Sequence, residues 1–540
     1  MDKRRLIAAG VAAVAVMAEG MACTNFIVTA GASADGSTIC TYNADDYGMF
    51  GKLCYYPAGR HGMGATRDIV CWDTGEWTGV IAEAEETYSV IGNINEWQVT
   101  IGETTYGGRE EMVDGTGVID YGSLIYLALQ RSKTAREAIG VMTGLVERYG
   151  YNSSGETFSV CDPREAWIME MMGCGAGSRG VVWVAVRIPD GMICGHANQS
   201  RIGRFFKMGL GKDELMYSRN VVSYAREMGW YEGKDEDFSW KEAYARPDME
   251  GRRLCDARVW SFFNHHADVR EYEAWAVGVD GEARDLPLWV RPDRKLTLHD
   301  VMMDMRDHYE GTVLSLADTT DMAGGPWQMP YRPTPLTFEM DGREYMWERP
   351  TSTQQTAFTF VSQMRAGMPD YVGGVLWFGN DDANMVAYTP IYCGSTRRPV
   401  CYNTPGAGAT RFSLSNAFWV CNWVSNMVYP RYSALFPDLR EARDGLEREF
   451  LGRQAEVEAA AMRMSAEEAR RYLNDYSIAM ADKMMETWHR LAELLIVKHN
   501  DMAVRPQNPD GTLRDGRVSR PGYPEGVRRV FVERGEVMGK

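Results

Sequence analysis

Cys23 follows a segment that has the three parts of a secretory signal, and this placement constrains the chain more than any other sequence feature. Residues 3–5 are basic, residues 6–17 form an apolar run, and Gly20-Met21-Ala22 supplies the small residues of a cleavage site. We therefore expect residues 1–22 to be removed, so that Cys23 begins an exported mature chain that is periplasmic or extracellular. Residues 25–29 then alternate like a β-strand, so the fold has to build a sheet directly on its new N-terminus.

A cysteine at the first position carries a thiol and a free α-amine on one residue. The amine titrates at about 7.7–8.0 and an ordinary thiol near about 8.5, so the amine is suited to accept the thiol proton near neutral pH. Nucleophile and general base then arrive together, as in enzymes that use an N-terminal threonine. The competing interpretation is a non-catalytic surface lipoprotein anchored through Cys23, although lipoprotein signals usually place leucine where Gly20 stands.

Composition excludes several classes of function. The formal net charge of −16 argues against a nucleic-acid partner. After residue 22 no apolar run approaches the about 20 residues that a membrane helix requires, so no membrane span is expected. The sequence has no CxxC pair and no HExxH, and His265-His266 and His308 lack neighbouring ligands at metal spacing, so no metal and no cofactor are predicted. The 11 scattered cysteines suit buried apolar positions as well as disulfides.

The pattern along the chain predicts an α+β fold. Strands are expected in several short alternating or apolar runs: 25–29, 37–42, 88–94, 98–104, 158–161, 166–171, 181–188 and 192–196. A helix pair is expected between them, and its second helix starts at a capping box formed by Thr134 and Glu137 and ends at Gly150.

The second half of the chain is more varied. The pattern over residues 205–251 predicts a helical insertion, and that over residues 287–350 predicts long ordered loops. Residues 439–499 are expected to form charged helices, with a second capping box at Ser465. We expect a catalytic domain over residues 23–430, a helical extension of the same domain over 431–503, and a polar tail over 504–540. The C-terminal helices are candidates for homo-oligomer formation.

Several short motifs, taken in order, resemble those of the dipeptidase A (PepD-type) cysteine peptidases. The motifs are Cys23-Thr24-Asn25-Phe26, Gly31-Ala32-Ser33, Asp35-Gly36-Ser37, Asn95-Glu96, Ile101-Gly102-Glu103, His196-Ala197-Asn198-Gln199 and Arg306-Asp307-His308-Tyr309-Glu310-Gly311-Thr312. The resemblance implies an N-terminal-nucleophile (Ntn) hydrolase with a four-layer αββα sandwich, here with additional C-terminal helices. It also implies amide-bond hydrolysis without a cofactor.

The resemblance assigns roles near the nucleophile Cys23. Asp45 stands where the superfamily places an acidic residue that orients the terminal amine, and the adjacent Asp46 is an alternative partner. Tyr42 stands where bile-salt hydrolases have an arginine, which disfavours bile salts as substrates. Arg258 is the nearest match to a superfamily arginine beside the thiolate, where a guanidinium would lower the pKa of the thiol. Arg252 and Arg253 are alternatives for that role.

Two asparagines are candidates for binding the reacting carbonyl group. Asn198 matches a superfamily asparagine near the nucleophile, and its amide could donate to a developing oxyanion. Asn95, in a loop between two predicted strands, is a second candidate. His196 is expected to be structural, because the terminal amine already supplies a base.

The sequence therefore predicts an exported cysteine dipeptidase that acts on dipeptides through an acyl-enzyme on Cys23. An acidic group such as Asp46 or Glu96 would recognise the free amine of the substrate, by charge alone. The nearest alternative is an Ntn amidase or acylase that acts on N-acyl amino acids or related conjugated amides.

Overall fold

The computed structural model describes residues 23–278, 280, 282–316, 324–533 and 535. The predicted signal segment, residues 1–22, lies outside the described residues, as do residues 534 and 536–540 of the tail. No helix in the described part of the chain is long and apolar enough to cross a membrane.

The strands, in chain order, are β1 (Asn25–Val28), β2 (Thr38–Asp45), β3 (Tyr55–Tyr56), β4 (Gly59–Arg60), β5 (Thr66–Val70), β6 (Trp77–Ala82), β7 (Glu86–Thr87), β8 (Val90–Ile91), β9 (Ile94–Asn95), β10 (Thr100–Gly107), β11 (Gly155–Cys161), β12 (Ala166–Gly173), β13 (Val181–Arg187), β14 (Ile193–His196), β15 (Leu215–Tyr217), β16 (Trp289–Val290), β17 (Thr337–Met340), β18 (Arg343–Met346), β19 (Thr356–Met364), β20 (Val375–Asn380) and β21 (Thr389–Tyr392).

The α-helices, in chain order, are α1 (Tyr121–Leu129), α2 (Ala135–Tyr149), α3 (Ser223–Glu227), α4 (Trp240–Tyr244), α5 (Ala257–His266), α6 (Glu273–Val277), α7 (Leu298–Asp304), α8 (Asp370–Gly373), α9 (Ala417–Val428), α10 (Tyr432–Ala461), α11 (Ala466–His499) and α12 (Glu525–Glu533). A π-helical turn at Gly251–Asp256 runs directly into α5.

Most strands belong to two antiparallel sheets. The first has the order β16-β14-β1-β2-β19-β20-β21 and the second the order β15-β13-β12-β11-β10-β9-β8-β3. Strands β1 and β2 of the first sheet contact β10 of the second, and β2 also contacts β11. The chain that starts at Cys23 therefore enters the structure where the two sheets face each other.

Helices cover both sheets. α1 contacts β10, and α2 contacts β11 and β13 of the second sheet. On the first sheet, α11 contacts β21, α9 contacts β20, and α5 contacts β14. The observed class is therefore α+β with antiparallel sheets, as the sequence pattern predicts.

Strand β12 shows why its sheet is covered on both faces. Its side chains alternate between two hydrophobic clusters, with Ile168 and Met172 in one and Trp167, Met169 and Met171 in the other. Because successive side chains of a strand point to opposite faces, a strand that is apolar at nearly every position needs cover on both. The second cluster also contains α1 and α2, whereas the first extends between the sheets and to the C-terminal helices.

The helix boundaries agree with the predicted capping signals. Thr134 accepts a hydrogen bond from the Glu137 amide at 3.1 Å, while the Glu137 carboxylate accepts from the Lys133 amide at 2.8 Å, one residue outside the expected box. The box at Ser465 is complete, and α11 begins at the next residue. Gly150 ends α2 with a φ of 82°, a backbone conformation that residues other than glycine rarely adopt.

Three predicted segments are wrong. The strand expected over 88–94 is divided into β8 and β9, because Gly92 turns the chain at a φ of 55° where a Cβ would meet Leu376 and Leu53. The expected loop around Asn95 is therefore partly strand. The helical insertion expected over 205–251 contains only the five-residue helices α3 and α4, together with β15, which extends the second sheet. Residues 287–350 also carry β16, α7 and the β17–β18 hairpin rather than loops alone.

Candidate active site

The thiol of Cys23 lies between the two sheets. Cys23 is 4% exposed, and the next residue, Thr24, is fixed by a two-way backbone pairing with Asn43 of β2, at 3.1 and 2.9 Å. The Cys23 Sγ is 3.6 Å from the Tyr42 Oη on β2 and 3.7 Å from the Glu103 Oε1 on β10. One side chain from each sheet therefore contacts the sulfur.

Arg258 holds the backbone at Cys23. It is fully buried on the first turn of α5, and its Nη1 donates to the Cys23 carbonyl oxygen and to the Thr24 Oγ1, both at 2.8 Å. Its Nη2 donates to the Ala197 carbonyl oxygen and to the Asn198 Oδ1, both at 3.1 Å. The planar guanidinium thus joins the start of β1 to the segment that follows β14.

Asn198 belongs to the same group of contacts. Its φ of 59° is a left-handed conformation that asparagine tolerates better than most residues. Its Nδ2 donates to the Thr105 carbonyl oxygen at 2.7 Å, and its Oδ1 accepts from Arg258. An amide nitrogen has two hydrogens, so one donor of Asn198 is left for an oxyanion.

Asp45, and not Asp46, is the buried carboxylate at the end of β2. Asp45 accepts from Arg349 at 2.8 Å and from the Thr356 hydroxyl at 2.6 Å, yet burial still raises its pKa. Asp46 instead accepts from the Gly48 amide at 2.5 Å, as a turn aspartate does. Of these two neighbouring aspartates, Asp45 is the one that contributes to raising the thiol pKa of Cys23, after burial and Glu103.

Tyr42, Glu103 and Glu156 form a buried group beside the thiol that the sequence assigns to no site. The Tyr42 hydroxyl donates to the Glu103 Oε1 in a short hydrogen bond. In the β10–β11 ladder, Glu103 pairs with Phe158 and Thr105 with Glu156, so both glutamates lie on one face. Glu156 accepts from the Thr105 hydroxyl at 2.9 Å.

The pKa values of Glu103 and Glu156 are both raised. Burial raises the pKa of Glu103 to about 7, and burial together with the neighbouring Glu103 raises the pKa of Glu156 well above its usual value. The Glu103 Oε2 and the Glu156 Oε2 are both buried without a donor. Two carboxylates repel each other, whereas a carboxylate and a carboxylic acid can hydrogen bond.

The expectation that an arginine lowers the pKa of the Cys23 thiol is wrong. Burial, and then the charges of Glu103 and Asp45, raise this pKa well above its ordinary value. Arg258 contacts the carbonyl oxygen of Cys23 rather than its sulfur. The resting thiol is therefore protonated, and a thiolate forms only when a base takes the proton.

Asn95 and Glu96 do not join this group. The Asn95 amide donates to the Leu129 and Ser132 carbonyl oxygens at 2.7 and 2.8 Å, so both of its hydrogens are used and no donor is left for an oxyanion. Glu96 accepts from the Ser89 amide at 2.9 Å and lies 3.7 Å from Arg470.

The loop after Asn95 faces a different cavity. That cavity has a volume of about 360 Å³ and is lined by Trp97, Gln98, Lys133 and Arg365 among others. Its lining does not include Cys23 or either residue that contacts the sulfur.

His196 is structural, as the sequence predicts. Its two ring nitrogens are each 2.7 Å from a hydroxyl group, Thr104 on one side and Ser159 on the other. Burial lowers the pKa of His196 to about 3. Because both nitrogens are occupied, the ring has no free position for a substrate proton.

His265, His266 and Asp304 come together although no metal-ligand set is apparent in the sequence. Their potential ligand atoms lie within 4.8 Å of one another. The two oxygens of Asp304 take one imidazole each, at 3.0 Å for His265 and 2.8 Å for His266. Hydrogen bonding to Asp304 and the nearby Asp307 raise the pKa of His265 to about 9 against the effect of burial. These contacts are those of ion pairs between α5 and α7, and protonation of His265 would compete with metal binding.

The sequence marks some, but not all, of the site residues that the sequence analysis did not assign. Glu103 lies inside one of the motifs quoted above, and Tyr42 stands out as a replacement for arginine. Glu156 and Arg349 carry no local signal, because their contacts depend on strand register and on chain segments far apart in sequence.

Comparison with known proteins gives a consistent result. Residues 22–444 match the sequence profile described as Peptidase family C69. Similar curated proteins include "Probable dipeptidase" of Salmonella dublin, 25% identical over 399 residues that cover 70% of this chain and 82% of that protein. "Probable dipeptidase" of Latilactobacillus sakei is 23% identical over 435 residues, 76% of this chain and 82% of that protein. "Probable dipeptidase B" of Lactococcus lactis subsp. lactis is 24% identical over 323 residues, 59% of each chain.

Proposed function

This chain belongs to peptidase family C69 and is a peptidase, and from that membership we propose that it hydrolyses dipeptides through an acyl-enzyme on Cys23. The family predicted from the sequence motifs is confirmed. The observation that carries the proposal is the position of Cys23, whose sulfur contacts side chains of both sheets while its carbonyl oxygen is held by a buried arginine.

The proposed reaction has two steps. In the first, the Cys23 sulfur bonds to the carbonyl carbon of the peptide, the carbon–nitrogen bond breaks, and the thiol proton is delivered to the leaving amine. In the second, water adds to the thioester carbon and the carbon–sulfur bond breaks, which releases the first amino acid and restores the thiol. The first step is an acyl transfer and the second a hydrolysis, and both balance without a redox partner or cofactor.

The base in this proposal is the α-amine of a processed Cys23. The high pKa of the thiol supports a base that acts during attack rather than a resting thiolate. Asp45 is the buried carboxylate suited to orient the amine, and Asn198 supplies the remaining amide donor for the oxyanion. Arg258 positions the backbone of the nucleophile.

We extend the proposal to the architecture and the processing. The contacts of β1 and β2 with β10, and of helices with both sheets, support the four-layer αββα sandwich of Ntn hydrolases. The contacts of α11 with β21 support C-terminal helices that extend the same domain over residues 431–503. The proposed amine base requires removal of residues 1–22, and the signal-like pattern of these residues supports export to the periplasm or the cell exterior.

The test uses mature protein that begins at Cys23, with the N-terminal residue verified by mass spectrometry. Release of free amino acids from a panel of dipeptides is compared between wild type, Cys23→Ala and the matched control Cys194→Ala. Cys194 is a fully buried thiol on β14, adjacent to β1. We expect turnover in the wild type and the control and none in Cys23→Ala. Absence of turnover from any dipeptide by a verified N-terminal cysteine overturns the proposal, and a lipid mass on the Cys23 peptide overturns its amine base.

A further inference from the structure

We propose that Glu103 and Glu156 form a subsite that binds the free α-ammonium group of the substrate. The inference rests on the proposed function and deepens it, because it names the chemical group that distinguishes a dipeptide from an N-acyl amino acid. It replaces Asp46 and Glu96, which the sequence nominates for this role, with residues that adjoin the nucleophile.

The first argument is distance. In a dipeptide the amino nitrogen is two bonds from the scissile carbonyl carbon, a separation of about 2.5 Å by standard backbone geometry. When the sulfur of Cys23 approaches that carbon, the nitrogen lies within a few ångströms of the sulfur. The Glu103 Oε1 is 3.7 Å from the Cys23 Sγ. A carboxylate oxygen therefore already occupies the surroundings in which the ammonium group has to be placed.

The second argument is charge. Buried carboxylates elsewhere in the described chain are commonly paired with arginine: Asp45 with Arg349, Asp256 with Arg201, Glu447 with Arg306 and Glu458 with Arg365. The hydrogen-bond partners of the Glu103 and Glu156 carboxylates among the described residues are hydroxyl groups and the thiol, and the two carboxylates adjoin each other. A buried carboxylate without a cation is costly, and a cationic substrate group supplies what the protein does not.

The third argument is the pair of unused oxygens. Glu103 is 1% exposed and Glu156 is 1% exposed, and the Oε2 of each lacks a hydrogen-bond donor from the protein. Glu170, a buried glutamate on β12 of the same sheet, differs in this respect. Its carboxylate accepts from the Ser200 hydroxyl and from the Arg201 and Ile202 amides. An ammonium group has three hydrogens, and it could donate to both glutamates.

The consequence is specificity for a free amino terminus. In a substrate whose amino nitrogen is acylated, that nitrogen is neutral and keeps only one hydrogen. The acyl group also places carbon atoms where the glutamates lie. Binding such a substrate would leave the buried glutamate oxygens without a hydrogen-bond donor, and an unpaired buried polar group strongly weakens binding.

The experiment compares Ala-Ala with propionyl-alanine, which has the same skeleton and lacks only the amino group. The ratio of kcat/KM for the two compounds is measured in wild type, Glu103→Gln and Glu156→Gln. Glu170→Gln is the matched control, since it removes a buried carboxylate from the same sheet. We expect wild type and control to prefer Ala-Ala, and both site variants to lose about 10- to 100-fold of that preference, the range of a charged hydrogen bond. An unchanged ratio in both site variants overturns the inference.

A second readout separates this inference from the proposed function. Affinities of the Cys23→Ala variant for Ala-Ala and propionyl-alanine are measured by calorimetry, with and without Glu103→Gln. A preference for Ala-Ala that Glu103→Gln abolishes supports the ammonium subsite even if the wild type turns over no dipeptide. Equal affinities for the two compounds overturn the subsite even if dipeptides are hydrolysed.

Discussion

Arg258 donates a hydrogen bond to the carbonyl oxygen of Cys23 at 2.8 Å, across a sequence separation of 235 residues. The same guanidinium also binds Thr24, Ala197 and Asn198. A fully buried arginine is therefore used to fix the backbone on which the thiol is carried, and not to make the thiol acidic. Placement of the Cys23 thiol is the role of Arg258 that this geometry supports.

Arg258→Lys is expected to lower kcat for dipeptides by about 10²-fold with a smaller change in KM, since a misplaced nucleophile can cost that much. Lysine keeps the charge but lacks the planar fork that reaches four acceptors on two chain segments. Steady-state kinetics with a thermal melt as a check of folding measures this. A kcat equal to that of the wild type would show that the fork does not position Cys23.

Tyr42→Phe is expected to shift the alkylation of Cys23 by iodoacetamide to higher pH. The Tyr42 hydroxyl lowers the pKa of both Cys23 and Glu103 by hydrogen bonding, against the larger effect of burial. Loss of one hydrogen bond, worth about 0.5–1.5 kcal/mol, corresponds to a shift of up to about one pH unit. Tyr388→Phe is the matched control, because that phenol is buried and contacts Thr359 instead. The alkylation profile should not move in the control, and an unmoved profile in Tyr42→Phe would contradict the assigned hydrogen bond.

The affinity of Cys23→Ala for Ala-Ala is expected to be greatest between about pH 7 and pH 8. Glu103 has a pKa of about 7 and becomes negative above it, while the α-amine of a peptide loses its charge above about 8. The groups that face Glu103 and influence this titration are Cys23, Tyr42, Glu156, Tyr121 and Asp73. Calorimetry from pH 5 to pH 9 tests the expectation. An affinity that stays constant over this range would rule out titration of the subsite.

Local sequence signals were sufficient where local physical chemistry determines the structure. Thr134, Gly150 and Ser465 mark helix ends because a side-chain oxygen or a left-handed glycine satisfies the nearby backbone groups. The strand that follows Cys23 was likewise predictable from alternation. The division of residues 88–94 was not, because it depends on packing of Gly92 against Leu376, which is remote in sequence.

For the candidate site, the sequence could single out Cys23 and the neighbouring residues that the family motifs mark. Asp45, Asn198 and Arg258 lie close to Cys23 at the start of β1, and their roles in the reaction stay predictions. Glu156 adjoins Glu103 only because the register of β10 with β11 brings them to one face. Because α1 and α2 lie between β10 and β11, no hairpin turn fixes the register of these strands, and the folded structure is needed to find the pair.

Glu103→Gln is expected to stabilise the protein at pH 8 relative to wild type and to have little effect at pH 5. In the unfolded chain a glutamate titrates at about 4.3, whereas Glu103 in the folded protein titrates at about 7. Between these values the folded state holds a proton that the unfolded state has lost. The stability that this group contributes is therefore fully present below about pH 4 and is lost as the pH rises through 7, at up to about 1.4 kcal/mol per pH unit.

Glutamine does not ionise, so the variant escapes this loss while it gives up the charge that the substrate is proposed to need. Urea unfolding of wild type and variant at pH 5 and pH 8 measures the difference. We expect the variant to be more stable than wild type at pH 8 and to lose the preference for Ala-Ala over propionyl-alanine. This combination is expected if the carboxylate serves binding at the expense of stability. A variant that is destabilised equally at both pH values would mean that Glu103 is a structural residue whose ionisation the fold does not resist.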